Sequence, residues 1–225
     1  MPIRRDWHNA ITAVKTRVQV FTRAPVSGQA KTRLIPRLGA NGAASLQMRL
    51  TEHALSIAVA AGLGPVELWC SPDCTHPAFR TVADQGIVLH DQGSGNIGDR
   101  MHRALSQALL AGDAAVLIGS DCPSLCPQDL QDAAQALHNK KDFAFVPAED
   151  GGYVLIAAAT NEPRSLRRAF DSIDWGTENV MAQTRERLRE CGRTWHELTS
   201  RWDIDRPEDY DRLMREQPGF LTAKQ

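Results

Sequence analysis

A basic segment without any acidic residue is the first part of the sequence that could do chemistry. Residues 22–39, TRAPVSGQAKTRLIPRLG, contain four cations around Gly28: Arg23, Lys31, Arg33 and Arg37. Such segments bind phosphate groups, because backbone N–H groups and cationic side chains compensate the phosphate charge. The segment predicts a phosphate-binding loop whose exposed charges add little to stability. The alternative is an ordinary solvated loop.

Two stretches of sequence offer carboxylates for a metal ion. Asp121 follows the apolar run AAVLI on a Gly-Ser turn, and Asp203 and Asp205 alternate shortly before the last predicted helix. Mg²⁺ takes one or two carboxylates and leaves its other positions to phosphate and water, so Asp121 with a second carboxylate predicts a metal site. The alternatives are that Asp121 forms a backbone turn and that Asp205 caps the helix, with Glu208 at capping-box spacing.

Residues 93–98, GSGNIG, match the dinucleotide-binding pattern G-x-G-x-x-G, and Asp121 follows at about the distance of its ribose-binding acid. Three observations argue against a nicotinamide site. Residues 90–92 separate the first glycine from the end of the predicted strand, and two βα units precede the pattern, which normally opens such a fold. Asp121 itself lies on a loop. The sequence therefore predicts that this loop does not bind NAD.

The segment FAFVPAEDGGYVLI places Asp150, Gly151 and Gly152 between two predicted strands. Asp-Gly is a strong hairpin signal, but glycines also let a backbone approach a ligand closely, so these residues are candidates for an acceptor site. Trp175 and Thr177 precede a predicted helix that Thr177 would cap, and the N–H groups of a helix start favour an anion. The alternative for Trp175 is packing against the core.

Short apolar runs that predict strands alternate with helical patterns along the chain. The predicted strands are 18–21, 66–70, 87–90, 114–118, 143–146 and 153–157, and one helix is predicted from about Ala43 to Ala61. Such alternation predicts a single-domain three-layer α/β/α sandwich with a mainly parallel sheet, whose ligands bind at the carboxyl ends of the strands. We expect this domain to occupy residues 18–216, with an N-terminal extension (1–17) and a C-terminal tail (217–225).

Composition narrows the function classes. The 225-residue chain has 26 Lys and Arg against 27 Asp and Glu, a formal charge of −1, so it lacks the basic surplus of a nucleic-acid-binding protein. The absence of a long apolar run argues against a membrane span and a signal peptide. Five scattered cysteines indicate a reduced, cytoplasmic protein. The C-x₃-C spacing of two pairs does not match the usual zinc patterns.

Six motifs occur in the order of a known bacterial family: FTRAPVSGQAKTRL, GSGNIGDRM, GSDCPSL, PAEDGGYVLI, DWGTEN and DIDRPEDY. Through them the sequence resembles the transferase family associated with radical-SAM and selenodomain proteins. The resemblance covers about residues 18 to 215 and implies the nucleotide-diphospho-sugar transferase fold, glycosyltransferase A type. More distantly the sequence is similar to phospholactate guanylyltransferase and the molybdenum-cofactor nucleotidyltransferases.

The resemblance also implies roles for individual residues. A nucleotide would be bound by residues of the basic loop and of the glycine-rich loop: Arg23, Ala24, Gly28, Lys31, Arg33, Gly98, Asp99 and Arg100. Asp121 and Asp205 would hold Mg²⁺ or Mn²⁺, with Asp203 as the alternative second ligand. The acceptor side would comprise Asp150, Gly151, Gly152, Trp175 and Thr177.

The four cations of the basic loop bear on the type of reaction. Attack on an α-phosphate with pyrophosphate as leaving group requires positive charge around a triphosphate, whereas a sugar transferase leaves the nucleoside diphosphate mainly on its metal. The sequence therefore favours nucleotidyl transfer to a small phosphorylated or polar acceptor, with Lys31, Arg33 and Asp121 as the catalytic residues. The alternatives are a glycosyltransferase using a nucleotide-diphospho-sugar, a non-catalytic nucleotide-binding protein and an NAD-dependent enzyme.

Overall fold

The computed structural model describes residues 15–159 and 163–221. Its centre is a seven-stranded sheet with the order β3-β2-β1-β4-β6-β5-β7. The strands are β1 (Thr16–Arg23), β2 (Val66–Ser71), β3 (Val88–Asp91), β4 (Ala114–Gly119), β5 (Phe143–Pro147), β6 (Tyr153–Ala158) and β7 (Trp195–Glu197). The helices are α1 (Ile35–Ala60), α2 (Pro77–Asp84), α3 (Ile97–Leu110), α4 (Pro127–His138), α5 (Pro163–Arg168), α6 (Val180–Glu190) and α7 (Pro207–Glu216).

Helices cover both faces of the sheet, which confirms the predicted three-layer α/β/α architecture. Side chains of α1, α2 and α4 pack on one face, around residues such as Phe79 and Leu130, and those of α3, α5 and α6 pack on the other, around Leu105 and Leu188. Because both faces are covered, the strands β4, β5 and β6 are almost wholly apolar. A third cluster joins α1 to α7 through Leu50 and Leu213.

Strand directions bring several loops to one edge of the sheet. Strands β1, β2, β3 and β4 are parallel, so the loops that follow them meet at their carboxyl ends. Strand β6 is antiparallel to both β4 and β5, so the β5–β6 hairpin lies at that same edge. Strand β7 is parallel to β5, and the chain beyond it continues along this edge, where Ala148 bridges Arg201. We call this side of the molecule the carboxyl edge.

Part of the predicted basic loop is helical. A 3₁₀ turn occupies Thr32–Leu34, and α1 begins at Ile35 rather than near Ala43. Pro36 suits the first turn of a helix, because the backbone N–H that proline lacks would have no partner within the helix at that position. Gly39, with φ 71° and ψ 165°, interrupts the helical geometry and thus marks a kink between this first turn and the long regular part of α1.

Described residues just outside the predicted limits of the domain also pack against it. Strand β1 starts at Thr16, two residues before the expected boundary, and the carbonyl oxygen of Lys15 already accepts a hydrogen bond from the N–H of Ala114 in β4. Residues 217–221, predicted as a tail, lie against the domain: the rings of Phe220 and His53 are 5.2 Å apart. No helix within residues 15–159 and 163–221 is long and apolar enough to cross a membrane.

Candidate active site at the carboxyl edge

Lys31 and Asp121 meet at the carboxyl edge. Lys31 has left-handed backbone geometry (φ 47°, ψ 46°) at the start of the 3₁₀ turn. Its Nζ lies 3.0 Å from Oδ1 of Asp121 and 2.5 Å from the carbonyl oxygen of Ile204. The Lys31 side chain is only 6% exposed, whereas that of Asp121 is 48% exposed. The Asp121 carboxylate therefore faces solvent, and the Lys31 ammonium group is buried behind it. The sequence predicted an exposed loop charge at Lys31, and this prediction is wrong.

Asp203 is the carboxylate that interacts with Asp121. Burial, together with the negative charges of Asp150 and Asp121, raises the pKa of Asp203 to about 6, although the nearby Lys31 ammonium opposes this shift. The backbone N–H of Ile204 donates to the carbonyl oxygen of Asp121, which fixes Asp203 beside the loop after β4. Asp203 therefore interacts electrostatically with carboxylates of two other loops, Asp121 and Asp150, and with the Lys31 ammonium group.

Asp205 faces another partner. Its carboxylate forms an ion pair with Arg33, a side chain that is 68% exposed. Asp205 does not cap α7: Asp209 accepts hydrogen bonds from the backbone N–H groups of Asp205 and Arg206, and Arg206 is the N-cap residue. The expectation that Asp205 and Glu208 form the capping box is wrong, because the helix starts one residue later. The described contacts of the Asp205 side chain are with Arg33 rather than with Asp121.

The remaining cations of the basic loop differ in their partners. Arg37 pairs with Asp211 of α7 at 3.1 Å, so the loop is tied to the last helix by Arg33 and Arg37 together. Arg23 ends β1 with an exposed side chain, and it forms no ion pair with the described residues. Ala24 is buried and donates its N–H to the carbonyl oxygen of Ser71, and Gly28 lies in a turn with φ 80°.

An open cleft of about 230 Å³ lies between the ends of β1, β2, β3 and β4 and the start of α3. Its lining residues are Phe21, Thr22, Arg23, Ser71, Gln92, Ile97, Arg100, Gly119, Ser120 and Asp121. The structure therefore brings together three of the predicted residues, Arg23, Arg100 and Asp121, around one cavity. A buried polar network supports its floor, in which Gln47 donates to the hydroxyl oxygens of Thr22 and Ser120.

The glycine-rich loop follows β3, which is an edge strand. Asn96 caps α3, and its side chain and that of Asp99 exchange hydrogen bonds with each other's backbone N–H groups. The Arg167 guanidinium, 2.9 Å from Asp99, holds the pKa of that carboxyl below its usual range. Arg100 reaches across the cleft and donates to Ser71 Oγ and to the carbonyl oxygen of Gly95. Asp99 thus stabilises the start of α3, whereas the next residue, Arg100, lines the cleft.

The predicted acceptor residues lie at the β5–β6 hairpin and the segment before α6. Asp150 Oδ1 accepts a hydrogen bond from the N–H of Gly152, as in the expected Asp-Gly turn. Gly151 has φ 92°, and a Cβ atom there would lie 2.1 Å from the carbonyl oxygen of Glu178. The carbonyl oxygen of Gly151 accepts a hydrogen bond from the N–H of Met181. Glycine is therefore required at 151 because the hairpin and the start of α6 are in direct contact.

Trp175 connects the acceptor side to the glycine-rich loop. Its ring stacks on Phe170 and meets Tyr153 edge-on, so it packs against the core, as the alternative interpretation expected. Thr177 is not the cap residue of α6: the helix starts at Val180 after Asn179, and the Thr177 hydroxyl accepts a hydrogen bond from the N–H of Asn179. The helix α6 thus starts two residues later than a cap at Thr177 predicts, and those two residues belong to the turn before it.

Replacing Gly98 by Ala should destabilise the protein by about 1–3 kcal/mol, the usual cost of overpacking. A Cβ atom at Gly98 would lie 2.5 Å from a ring carbon of Trp175, so the indole must move. Urea unfolding followed by tryptophan fluorescence measures this change. Gly219→Ala is the matched control, since its Cβ atom would meet no atom within 4 Å. Equal stability of the two variants would contradict the close packing of Trp175 on α3.

The donor set fits a metal ion that is shared with phosphates. Among the described residues no three His, Cys, Asp or Glu side chains are close enough to form a complete metal site. Asp121 and Asp203 nevertheless repel each other across the site, and a divalent cation would neutralise that repulsion. Two carboxylates are as many as Mg²⁺ commonly takes from a protein when phosphates and waters fill its other positions.

Sequence reasoning missed Gln92, Ser71 and Thr22, which line the cleft. Neutral polar residues at strand ends carry no charge pattern, so their types alone did not distinguish them from turn residues. Their position could have found them, because each lies within one residue of the carboxyl end of one of the first three parallel strands.

Comparison with solved structures defines the class of this fold. A crystal structure from Desulfovibrio desulfuricans G20, provisionally designated a nucleotide-diphospho-sugar transferase, matches with a TM-score of 0.77 and 25% identity, covering 92% of this chain and 97% of that chain. A Methanothermobacter nucleotidyl transferase matches with a TM-score of 0.61 and 16% identity, covering 92% and 98%. Rv0371c from Mycobacterium tuberculosis H37Rv, solved in complex with manganese, matches with a TM-score of 0.52 and 17% identity, covering 88% and 98%. The fold is that of nucleotide-diphospho-sugar transferases and nucleotidyltransferases.

Within this class the chain belongs to the family described as "uncharacterized protein conserved in bacteria" (DUF2064), whose sequence model matches residues 54–177. No curated protein matches the sequence.

Proposed function

We propose that this protein is a metal-dependent nucleotidyltransferase that moves a nucleotide from a nucleoside triphosphate to a small phosphorylated or polar acceptor. The observation that carries the proposal is the Lys31–Asp121 pair, which joins the basic loop to the loop after β4 at the mouth of a cleft lined by Arg23 and Arg100. Cations and a metal-binding carboxylate are the groups that a triphosphate requires.

The cations around the cleft would hold and orient the phosphates. Arg23 is exposed at the end of β1, and Arg100 has further N–H groups beyond the two contacts that fix its guanidinium. Lys31 and Arg33 bind carboxylates in the free protein. A bound triphosphate would compete for both cations. Ala24, Gly28, Gly98 and Asp99 would shape the surrounding backbone.

Asp121 and Asp203 are the carboxylates that we propose for Mg²⁺ or Mn²⁺, with Asp205 as the alternative second ligand implied by the family resemblance. When bound, the metal would neutralise phosphate charge and orient the α-phosphate for attack. Lys31 would orient the Asp121 carboxylate through their ion pair, in which Nζ and Oδ1 are 3.0 Å apart.

The acceptor would bind between the β5–β6 hairpin and the segment before α6. Asp150 lies close enough to Asp203 to raise its pKa, so the hairpin borders the proposed metal site. Gly151 and Gly152 are partly exposed there, and we propose Trp175 and Thr177 as further residues of the acceptor side. An acceptor held in this place would approach the α-phosphate from the side away from Arg23.

Glycosyl transfer is the second candidate function. It is favoured by the provisional designation of the structure from Desulfovibrio desulfuricans, which shares 25% identity with this chain, and by the resemblance to the transferases associated with radical-SAM and selenodomain proteins. Under either function we propose a cytoplasmic enzyme with a single transferase domain.

NAD and NADP should not bind in the absence of a divalent metal. The glycine-rich loop follows an edge strand, whereas a dinucleotide fingerprint lies at the centre of its sheet, and its residues are used to cap α3. Thermal-shift measurements with NAD, NADP, nucleoside triphosphates and nucleotide-sugars, each with and without Mg²⁺, test this. A ligand at 100 times its dissociation constant stabilises by about 2.7 kcal/mol. Micromolar NAD binding without metal would favour the dehydrogenase alternative.

Transfer itself is tested with nucleoside triphosphates labelled at either end. The enzyme, Mg²⁺ and a low-mass fraction of bacterial extract are incubated with α-³²P- or γ-³²P-labelled triphosphate. Nucleotidyl transfer moves the α label into a new product and the γ label into pyrophosphate. Conversion of an added nucleotide-sugar, with both triphosphate labels unchanged, would instead establish the glycosyltransferase alternative. Heat-inactivated enzyme is the control.

A further inference from the structure

Ser124 lies in the loop after β4, three residues beyond Asp121, and the proposed chemistry does not use it. Its hydroxyl group makes two hydrogen bonds to a single residue. Oγ donates to the carbonyl oxygen of Trp202, at 3.1 Å, and accepts from the backbone N–H of Trp202, at 3.2 Å. A hydroxyl can do both, because it carries one donor and two acceptor lone pairs. Ser124 therefore fixes the backbone of Trp202 at both of its polar groups.

The segment that Ser124 holds carries Asp203. The loop after β4 binds this segment on both sides of Asp203: Ser124 bonds to Trp202, and the carbonyl oxygen of Asp121 accepts from the N–H of Ile204 at 2.9 Å. The side chains of Trp202 and Ile204 are buried in the cluster that joins α1 to α7. Asp203 is thus placed between two residues that are each anchored by packing and by hydrogen bonds to the loop that carries Asp121.

The backbone around Ser124 is itself anchored by its two neighbours. Nε2 of Gln217 donates to the carbonyl oxygen of Pro123, at 3.1 Å, and so joins the residue before Ser124 to the segment after α7. The side chain of Leu125, the residue after Ser124, is buried in the core on the α4 side of the sheet. The Ser124 hydroxyl therefore leaves a stretch of backbone that is held on each side.

The proposed metal site needs such a connection, because its two carboxylates do not attract each other. Asp121 and Asp203 belong to distant parts of the sequence, and their like charges repel. A metal ion binds most tightly where its ligands already lie close together, since no binding free energy is then lost in bringing them into place. The hydrogen bonds of Ser124 oppose the repulsion and keep the two carboxylates together before a metal binds.

We infer that Ser124 is a positioning residue of the metal site, whose hydroxyl group sets the separation of the Asp121 and Asp203 carboxylates by fixing the backbone of Trp202. This inference rests on the proposed function, in which those two carboxylates hold the metal. Ser124 acts through Asp203 and is not itself a ligand. Residues that orient metal ligands in this way commonly contribute about 10–100-fold to metal affinity.

Binding of Mn²⁺ without nucleotide tests this inference. The electron paramagnetic resonance signal of free Mn²⁺ gives the dissociation constant as the full chain is titrated. For Ser124→Ala we expect a dissociation constant at least about tenfold higher than that of the wild type. Ser124→Thr keeps the hydroxyl group and should bind Mn²⁺ nearly as the wild type does. Equal Mn²⁺ affinity of Ser124→Ala and wild type would overturn the inference.

A matched control removes a comparable hydroxyl elsewhere. Ser56 on α1 is also half-buried and also donates to a backbone carbonyl, that of His53, at 2.8 Å. Ser56→Ala should leave the Mn²⁺ affinity unchanged. If Ser124→Thr binds Mn²⁺ as weakly as Ser124→Ala does, the effect comes from disturbing the loop, and the role of the hydroxyl is overturned.

Turnover separates a positioning role from a general contribution to stability. In Ser124→Ala the Mg²⁺ concentration that gives half-maximal turnover should rise about tenfold, whereas kcat at saturating Mg²⁺ should fall much less. A variant that is only less stable has less active protein at every Mg²⁺ concentration, so its kcat falls and its half-saturating concentration stays the same. That second pattern in Ser124→Ala would overturn the inference.

If Ser124→Ala does not fold, Ser124→Cys replaces it. The thiol nearly keeps the size of the side chain, but it is a weak hydrogen-bonding group, so its Mn²⁺ dissociation constant should exceed that of the wild type, and an equal value would overturn the inference. If the wild type binds no Mn²⁺, the proposed metal site and this inference are both overturned. If it binds Mn²⁺ and the variants at Ser124 bind it equally well, only the role of Ser124 is overturned.

Discussion

Replacing Asp121 by Asn should lower metal-dependent turnover by at least about a hundredfold, because the amide cannot supply the charge that holds a divalent metal against phosphates. The substitution also leaves the buried Lys31 ammonium without its carboxylate, so we expect the free energy of unfolding to fall by about 1–2 kcal/mol. Product formation at saturating Mg²⁺, and urea unfolding, measure the two effects. Full activity of Asp121→Asn would contradict the proposed site.

Matched Asp→Asn substitutions at 203 and 205 identify the second carboxylate. Asp203→Asn should weaken metal binding and yet stabilise the protein at pH 7 by about 1 kcal/mol. The pKa of Asp203 is raised from its ordinary value of about 3.9 to about 6. The folded state therefore loses stability as the pH rises from about 4 to about 6, the loss persists at pH 7, and a neutral side chain removes it. Asp205→Asn loses an exposed ion pair with Arg33 and should change stability by less than about 0.5 kcal/mol. If it abolishes metal-dependent activity while Asp203→Asn does not, Asp205 is the second ligand.

Replacing Lys31 by Met should weaken triphosphate binding by about 1.5–3 kcal/mol, the range for a hydrogen bond to a charged group. Met retains most of the buried stem but not the ammonium. The carboxylates of Asp121 and Asp203 then lose their nearby positive charge, and stability should fall by about 1–2 kcal/mol. Calorimetric titration with a nucleoside triphosphate and Mg²⁺ measures the affinity.

Arg33→Met provides the comparison for Lys31. Arg33 is 68% exposed, so its removal should leave stability nearly unchanged while still weakening triphosphate binding. Arg37→Met, which removes a pair with Asp211 on α7, is the control for the charge of the loop. Unaltered triphosphate affinity in both Lys31→Met and Arg33→Met would contradict a phosphate-binding role for the basic loop.

Alternating apolar runs were sufficient to predict the layers of this fold. Strands such as β4 are covered on both faces and therefore read as continuous apolar segments, which the sequence displays directly. The loop after β4 could be selected as a site for the same reason, since parallel strands gather their carboxyl ends at one edge. Local pattern and general topology thus predicted Arg23 and Asp121, whereas Arg100 was predicted through the family resemblance.

Long-range pairing could not be read from the sequence. The basic loop contains no acidic residue of its own, yet Lys31, Arg33 and Arg37 are paired with Asp121, Asp205 and Asp211, which lie 90 to 174 positions away. The Lys31 pair depends on the pairing of β1 with β4, and the other two depend on how α7 and the residues just before it pack near the start of α1. No local signal exists for either arrangement. The reversal of β6, which brings Asp150 to the carboxyl edge, likewise follows from strand pairing rather than from residue type.

Calorimetry of nucleotide binding to the wild type tests the central claim most directly. A nucleoside triphosphate and a nucleotide-diphospho-sugar with the same base are titrated separately into the protein with Mg²⁺, and each titration is repeated with Asp121→Asn. The proposed function predicts that the triphosphate binds at least about tenfold more tightly than the nucleotide-sugar, because charge neutralisation at the metal favours the more highly charged ligand. It also predicts that Asp121→Asn removes most of this difference in affinity. Tighter binding of the nucleotide-sugar, or triphosphate binding that is the same in Asp121→Asn and wild type, would contradict it.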